Sequence, residues 1–107
     1  MVVQRVRLAS QGEDPYLGAK LTAEYVKGVQ EMGVATVTKH YVFNNQETNR
    51  NTENSIVDDK TAWELYYPPF KAAVDAGGVG FMCSCTKSRK LFVCAPNLVG
   101  SFDTAFV

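Results

Sequence analysis

Residues 39–51, KHYVFNNQETNRN, hold an unusual density of side chains that donate hydrogen bonds. Lys39, His40 and Arg50 are joined there by a set of amides, Asn44, Asn45, Gln46, Asn49 and Asn51. Forked amide and guanidinium groups can bind vicinal hydroxyls from fixed positions. The stretch therefore suits a ligand that carries many hydroxyl groups and no charge, and a sugar fits that description.

Each of these residues also has a purely structural interpretation. Asn side chains often satisfy the backbone of their own loop through local turns. His40, the single histidine of the chain, could equally pack in the core and donate to a carbonyl. For Lys39 the functional interpretation is favoured over the structural one, because this lysine comes directly at the end of a short apolar segment.

Composition limits the classes of partner. The chain has 107 residues, 46% of them hydrophobic, which fits one domain with a modest core. Eleven basic and eleven acidic residues give a formal net charge of zero, so we expect no nucleic-acid partner and no membrane partner. The chain as written shows no signal peptide and no apolar span, and its localisation stays open.

The cysteines indicate thiols rather than a metal centre. Cys83, Cys85 and Cys94 are odd in number and lack the second ligand pair of a structural zinc site. No glycine-rich phosphate loop is present in the sequence, so we predict no metal and no cofactor. One alternative stays open: a thiolate pair of Cys85 with His40, in a cysteine-dependent enzyme.

Spacing and turn residues predict four elements. A helix runs from the Asp14 cap and Pro15 to Met32, with its apolar face at Leu17, Leu21, Val26 and Val29, and Gly33 ends it. A strand follows at 34–38, and a second helix at about 58–76, which Pro68 and Pro69 should kink or split. A second strand covers 79–83. The acidic residues Glu13, Asp14, Asp58 and Asp59 are explained as helix starts.

This order predicts an α/β fold with parallel strands and crossover helices. In such folds the ligand lies at the carboxyl ends of the strands. Lys39 and His40 fall at one such end, and Cys85 follows the other strand. The polar stretch 41–57 is long for a simple connection and is typical of a functional loop, whereas residues 86–107 show no clear period.

Several segments together resemble the N-terminal barrel domain of family 3 glycoside hydrolases, the β-glucosidase and β-xylosidase group. The matching segments are GEDPYL at 12–17, KHY at 39–41, NNQETNR at 44–50, SIVDDK at 55–60, ELY at 64–66, PF at 69–70, AV at 73–74 and VGFMCS at 79–84. The resemblance runs from about residue 12 to 84. It implies that residues 1–107 are a single fragment of a (β/α)8 barrel, which is roughly 250 residues when complete.

The resemblance also implies roles for individual residues. In the family, the lysine and histidine of the KH pair and the following arginine contact the hydroxyls of the non-reducing sugar, so Lys39, His40 and Arg50 would do so here. Cys85 stands where the family has a tyrosine, so that phenol is replaced by a thiol. An arginine-bearing segment that precedes the GEDP motif in the family is missing as well.

The resemblance implies a retaining β-glucosidase-like hydrolase in the complete enzyme, acting on a terminal β-linked glucose or a similar sugar. No carboxylate of this chain matches the family's nucleophile or its acid/base residue, so we expect no catalytic residue and an inactive chain. The alternative is a non-catalytic carbohydrate-binding module. A partial barrel leaves open sheet edges, from which we expect marginal stability and self-association.

Overall fold

The computed structural model describes residues 3–7, 12–49, 52–84, 87–88 and 91–92. The elements in chain order are β1 (Val3–Arg7), α1 (Pro15–Glu31), β2 (Ala35–Tyr41), β3 (Asn54–Ser55), α2 (Asp59–Thr61), a π-helical turn (Ala62–Tyr66), α3 (Tyr67–Asp75), β4 (Gly80–Cys83), β5 (Lys87–Ser88) and β6 (Leu91–Phe92). They confirm an α/β fold in which parallel strands alternate with helices, as in part of a (β/α)8 barrel.

The predicted start and end of α1 are confirmed. The Asp14 carboxylate accepts hydrogen bonds from the backbone N–H groups of Tyr16 at 2.8 Å and Leu17 at 3.1 Å. Pro15 occupies the first helical turn, where its missing N–H has no intrahelical partner to lose. Gly33 has a φ of +74°, the left-handed conformation that commonly ends a helix.

The predicted buried face of α1 is wrong in part. Leu17 and Leu21 are 49% and 48% exposed, whereas Val26 is fully buried. The buried residues of the helix are Gly18, Thr22 and Val26, spaced by four. The reason is close approach: a Cβ added at Gly18 would lie 3.3 Å from Pro69 Cγ of α3. Small side chains on this face let the two helices pack tightly.

The predicted helix at 58–76 forms, and its prolines change its geometry as expected. Asp58 caps α2 by accepting from the N–H of Thr61 at 3.0 Å. Pro68 and Pro69 lie in the first turn of α3 and cannot donate to carbonyls in the preceding turn. The backbone there widens into the π-helical turn Ala62–Tyr66, which closes with Tyr67 N donating to Ala62 O.

The main sheet has three parallel strands in the order β1-β2-β4. Strand β2 is longer than the predicted 34–38, because it pairs with β1 as far as Lys39 and with β4 as far as Tyr41. A small second sheet, β3-β5-β6, lies partly in the loop and partly in the tail. Neither β1 nor this second sheet was predicted, and the two-residue strands of the second sheet leave no readable period.

Two buried regions hold these elements together. We use "helix layer" for α1, α3 and the residues of β2 that they cover, and its buried residues include Val26, Thr36, Thr38 and Ala73. The second region is an aromatic cluster of Tyr41, Val42, Phe43, Ala62 and Phe70, against which Tyr66, Tyr67 and Phe81 pack. The aromatic cluster lies directly after the residues that the sequence singles out for binding.

One expectation about the cysteines is wrong. Cys83, at the end of β4, is disulfide-bonded, so it is not a free thiol. The prediction came from the odd number of cysteines, which excludes only that all three are paired. Cys85 and Cys94 lie outside the described residues.

Candidate functional site

The carboxyl ends of β1, β2 and β4 meet at one edge of the main sheet, which we call the strand-end edge. The peptide bonds Lys39–His40 and Tyr41–Val42 of this region are cis. Lys39 of β2 is in register with Arg7, the last residue of β1, and with Met82 of β4. His40 follows within the strand, and both side chains are partly buried. Lys39 and His40 therefore stand at the carboxyl edge, within β2 rather than after it.

Behind these two residues, Tyr41 anchors the end of β2 in the aromatic cluster. Its ring meets Phe70 edge-on at a centroid distance of 4.9 Å and stacks on Phe81 at 5.4 Å. Burial raises the pKa of Tyr41 well above its ordinary value, and the nearby Tyr67 hydroxyl raises it further. The Tyr41 phenol therefore stays neutral and is part of the packing rather than a proton donor at neutral pH.

Two hydrogen bonds fix the backbone just beyond His40. The N–H of Ser84, after β4, donates to the carbonyl of Tyr41 at 2.7 Å. The hydroxyl of Ser55, on β3, lies 3.1 Å from the carbonyl oxygen of Phe43. Phe43 itself has a φ of +63°. The segment that carries Lys39 and His40 is thus held from both the neighbouring strand and the far side of the loop.

Two residues of the polar loop make local hydrogen bonds, one through its backbone carbonyl and one through its side chain. The carbonyl of Asn49, whose φ is +57°, accepts from the N–H groups of Thr52 at 2.8 Å and Glu53 at 2.9 Å. Gln46 Nε2 donates to the carbonyl of Thr48 at 3.1 Å. These contacts shape the loop. The predicted site residues Arg50 and Cys85 lie outside the described residues, so their placement is untested.

Two of the four helix-start carboxylates, Asp14 and Asp58, cap their helices as the sequence predicts. Hydrogen bonds from the hydroxyl and the backbone N–H of Thr61 lower the pKa of Asp58 below its ordinary value. The Asp14 carboxylate accepts hydrogen bonds from two backbone N–H groups at the start of α1. Both carboxylates therefore serve as helix caps and not as partners at the strand-end edge.

No group of three metal-binding side chains comes together among the residues of known placement. Within the same residues, every helix falls short of the length and apolarity needed to cross a bilayer. A cavity of about 270 Å³ lies between α1 and α3 and is lined by Tyr16, Ala19, Lys20, Ala23, Lys27, Ala72, Asp75 and Ala76. It contains no residue of the strand-end edge.

Three features of this edge were missed at the level of sequence. Strand β1 ends at Arg7, which places a second cationic residue in register with Lys39; the alternation of Arg5 and Arg7 with Val6 and Leu8 was the available signal. The left-handed backbone at Phe43 had no signal, because phenylalanine rarely adopts it. The contact between Ser55 and Phe43 joins residues 12 apart and depends on the tertiary fold.

Comparison with known proteins finds consistent similarity. Residues 6–89 match the model of the "Glycosyl hydrolase family 3 N terminal domain". "Probable beta-glucosidase M" of Neosartorya fischeri is 47% identical over 91 aligned positions, which cover 76% of this chain and 12% of that protein. The chain thus spans about an eighth of the curated relatives that it matches.

Solved structures agree with the sequence comparison. The crystal structure of "Beta-D-glucoside glucohydrolase from Trichoderma reesei" superposes with a TM-score of 0.83 at 30% identity, covering 92% of this chain and 17% of that one. Beta-glucosidase 3B from Thermotoga neapolitana, solved in complex with glucose, gives a TM-score of 0.70 at 29% identity over 86% of this chain and 14% of that one.

Proposed function

Because the chain belongs to glycosyl hydrolase family 3, with residues 6–89 in its N-terminal domain, we propose that it carries part of a sugar-binding subsite. The ligand is a small neutral sugar or a β-glucoside. In the complete enzyme, this subsite would hold the terminal β-linked glucose, or a similar sugar, that a retaining β-glucosidase-type hydrolase releases. Glucose is bound in the solved structure of the Thermotoga relative, which supports a ligand of this class.

One observation carries the proposal: Lys39 and His40 stand together at the carboxyl edge of three parallel strands. This edge is where barrels of this class bind their ligands. An ammonium and an imidazole offer hydrogen-bond donors to hydroxyl oxygens, and the imidazole can also accept. Both residues are partly buried, which limits the number of rotamers that their side chains can adopt.

Two further residues enter the proposal from the sequence. Arg50 would add a guanidinium that binds adjacent hydroxyls in a fixed geometry. Cys85, at the position of the family's tyrosine, would replace a phenol with a smaller thiol, which reduces contact with the ligand. Both assignments rest on the motif positions of these residues.

We further propose that the 107-residue chain binds sugar without cleaving it. A retaining glycosidase needs two carboxyl groups about 5 to 5.5 Å apart, one as nucleophile and one as acid/base. Asp14 and Asp58 are engaged as helix caps, and no acid of the chain occupies the family's catalytic motifs. Without a nucleophile, no glycosyl-enzyme intermediate can form.

Titration with glucose tests the binding. We expect saturable binding to the chain, weakened at least about tenfold in Lys39→Ala, since the loss of a charged hydrogen-bond donor costs roughly 1.5–3 kcal/mol. Lys60→Ala is the matched control, because Lys60 is exposed on α2, and it should bind as the wild type does. Absence of binding up to high millimolar glucose would contradict the proposal.

An assay on an aryl β-glucoside tests the absence of catalysis. We expect the purified chain to release no more aglycone than buffer does, because nothing in it supplies the nucleophile. A burst of aglycone in proportion to the amount of chain would show that the chain itself reacts. Saturable glucose binding without such a burst agrees with the proposal.

A further inference from the structure

Phe43 adopts a backbone conformation that needs support from its surroundings. Its φ of +63° lies in the left-handed region, which is unfavourable for a bulky residue. The residue is only 7% exposed, and its ring meets Tyr66 edge-on at 5.1 Å and lies tilted to Tyr67 at 6.0 Å. Packing therefore holds the ring, but it does not by itself hold the backbone carbonyl.

The Ser55 hydroxyl is the group that reaches this carbonyl. Ser55 Oγ lies 3.1 Å from Phe43 O, across a separation of 12 residues. We propose that Ser55 is a positioning residue, which latches Phe43 and so holds the end of β2 in the conformation that presents Lys39 and His40. This inference rests on the proposed function, because the positioned residues are those that would bind the sugar.

The Ser55 latch acts on the short segment from Tyr41 to Phe43, which other contacts already hold in part. The carbonyl of Tyr41 is already held by Ser84 N at 2.7 Å. The carbonyl of Phe43, two residues later, is held by Ser55 alone among the described residues. Strain in a backbone persists only where surrounding contacts over-determine it. Without the Ser55 hydrogen bond, the backbone after His40 is free to relax toward an ordinary conformation.

Glu53 competes for the same proton. Ser55 Oγ lies 2.8 Å from Glu53 Oε1 as well as 3.1 Å from Phe43 O, and a hydroxyl carries a single proton to donate. The other carboxylate oxygen, Glu53 Oε2, is buried without a hydrogen-bond partner within the described part of the chain. An amide in place of this carboxylate can donate to the Ser55 oxygen and leave the serine proton for Phe43.

Amide hydrogen exchange of the sugar-free chain tests the latch. We expect Ser55→Ala to speed exchange of residues 42–49 about tenfold, Ser55→Thr to restore it, and Glu53→Gln to slow it about threefold. Thr52→Ala is the control, because its hydroxyl also bonds a carbonyl, that of Asn49 at 3.1 Å, yet two backbone N–H groups hold the same carbonyl. Unchanged exchange of α1 amides shows that each variant is folded.

Two results would overturn the inference. Exchange of residues 42–49 that is the same in Ser55→Ala and in the wild type means that no latch exists. Faster exchange in Ser55→Ala together with wild-type glucose affinity means that the latch does not position the site. We expect instead that the glucose affinity of Ser55→Ala falls about fivefold and that Ser55→Thr restores it. If Ser55→Ala does not fold, faster exchange in Glu53→Gln contradicts the latch.

Failure of the proposed function gives a different pattern. A wild-type chain that binds no glucose contradicts the sugar subsite, and the role of Ser55 in positioning it falls too. The exchange rates then still decide whether Ser55 holds Phe43, since they are measured without sugar.

Discussion

The helix layer and the strand-end edge are built in different ways, although β2 runs through both. In the helix layer, small residues such as Gly18, Thr22 and Ala73 are fully or nearly fully buried, and backbones approach closely. At the strand-end edge, Lys39 and His40 are only partly buried, and the chain beyond them takes up left-handed conformations. The first arrangement buries small side chains between closely packed elements, whereas the second leaves Lys39 and His40 partly exposed.

From this difference we expect stability and sugar binding to depend on separate residues. Substitutions in the helix layer should lower or raise the free energy of unfolding and leave the glucose affinity of the folded molecules unchanged. Substitutions at Lys39 should do the reverse. The following predictions measure the free energy of unfolding, and the last of them also measures glucose affinity on the same variants.

The largest effect is expected at Gly78. A Cβ there would lie 2.8 Å from the carbonyl oxygen of Ala73, to which Gly78 N already donates at 2.8 Å. Because this neighbour is backbone, Gly78→Ala should lower the free energy of unfolding by about 3 kcal/mol in urea denaturation. Gly28 lies at an exposed position of α1, and a Cβ added there would meet open space. Gly28→Ala should therefore raise the free energy of unfolding by about 0.5–1 kcal/mol.

The next effect contrasts two faces of α1. Val26 is fully buried and Leu21 is 48% exposed. Val26→Ala should cost about 2 kcal/mol of unfolding free energy, from lost burial and the cavity that remains. Leu21→Ala should cost less than about 1 kcal/mol. Equal costs in thermal or urea unfolding would mean that Leu21 is covered in solution, and the comparison of the two faces would then be wrong.

The smallest effect distinguishes two buried threonines of β2. Thr36 Oγ1 donates to Gln30 Oε1 at 3.0 Å, whereas Thr38 Oγ1 is buried with no hydrogen-bond partner in the ranges that the structure describes. Thr36→Val should destabilise the chain by about 1 kcal/mol, and Thr38→Val should stabilise it by up to about 1 kcal/mol.

Thr38 also offers the sharpest test of the separation, because it precedes Lys39 directly. Unfolding in urea gives the stability of the two valine variants, and glucose titration gives their affinity. A Thr38→Val chain that is more stable but has lost glucose binding would show that the helix layer and the strand-end edge are coupled through β2.

Local sequence signals predicted the parts of the fold that depend on local chemistry. The Asp14 cap, Pro15 and Gly33 fix α1 almost to the residue, because capping and left-handed turns involve only neighbouring residues. Pro68 and Pro69 likewise predicted that the helical geometry changes near them, and the π-helical turn lies there. The KH pair pointed to the strand-end edge, because chain order alone implies parallel strands whose carboxyl ends lie together.

Tertiary structure decided what depends on distant partners. The length of β2 is set by its pairing with β1 and β4, and the buried face of α1 is set by Pro69 of α3. Amphipathic spacing cannot foresee either, since it shows which residues are apolar and not which neighbour covers them. The support that Phe43 receives from Ser55 likewise joins residues that are remote in the chain, and only the folded loop brings them together.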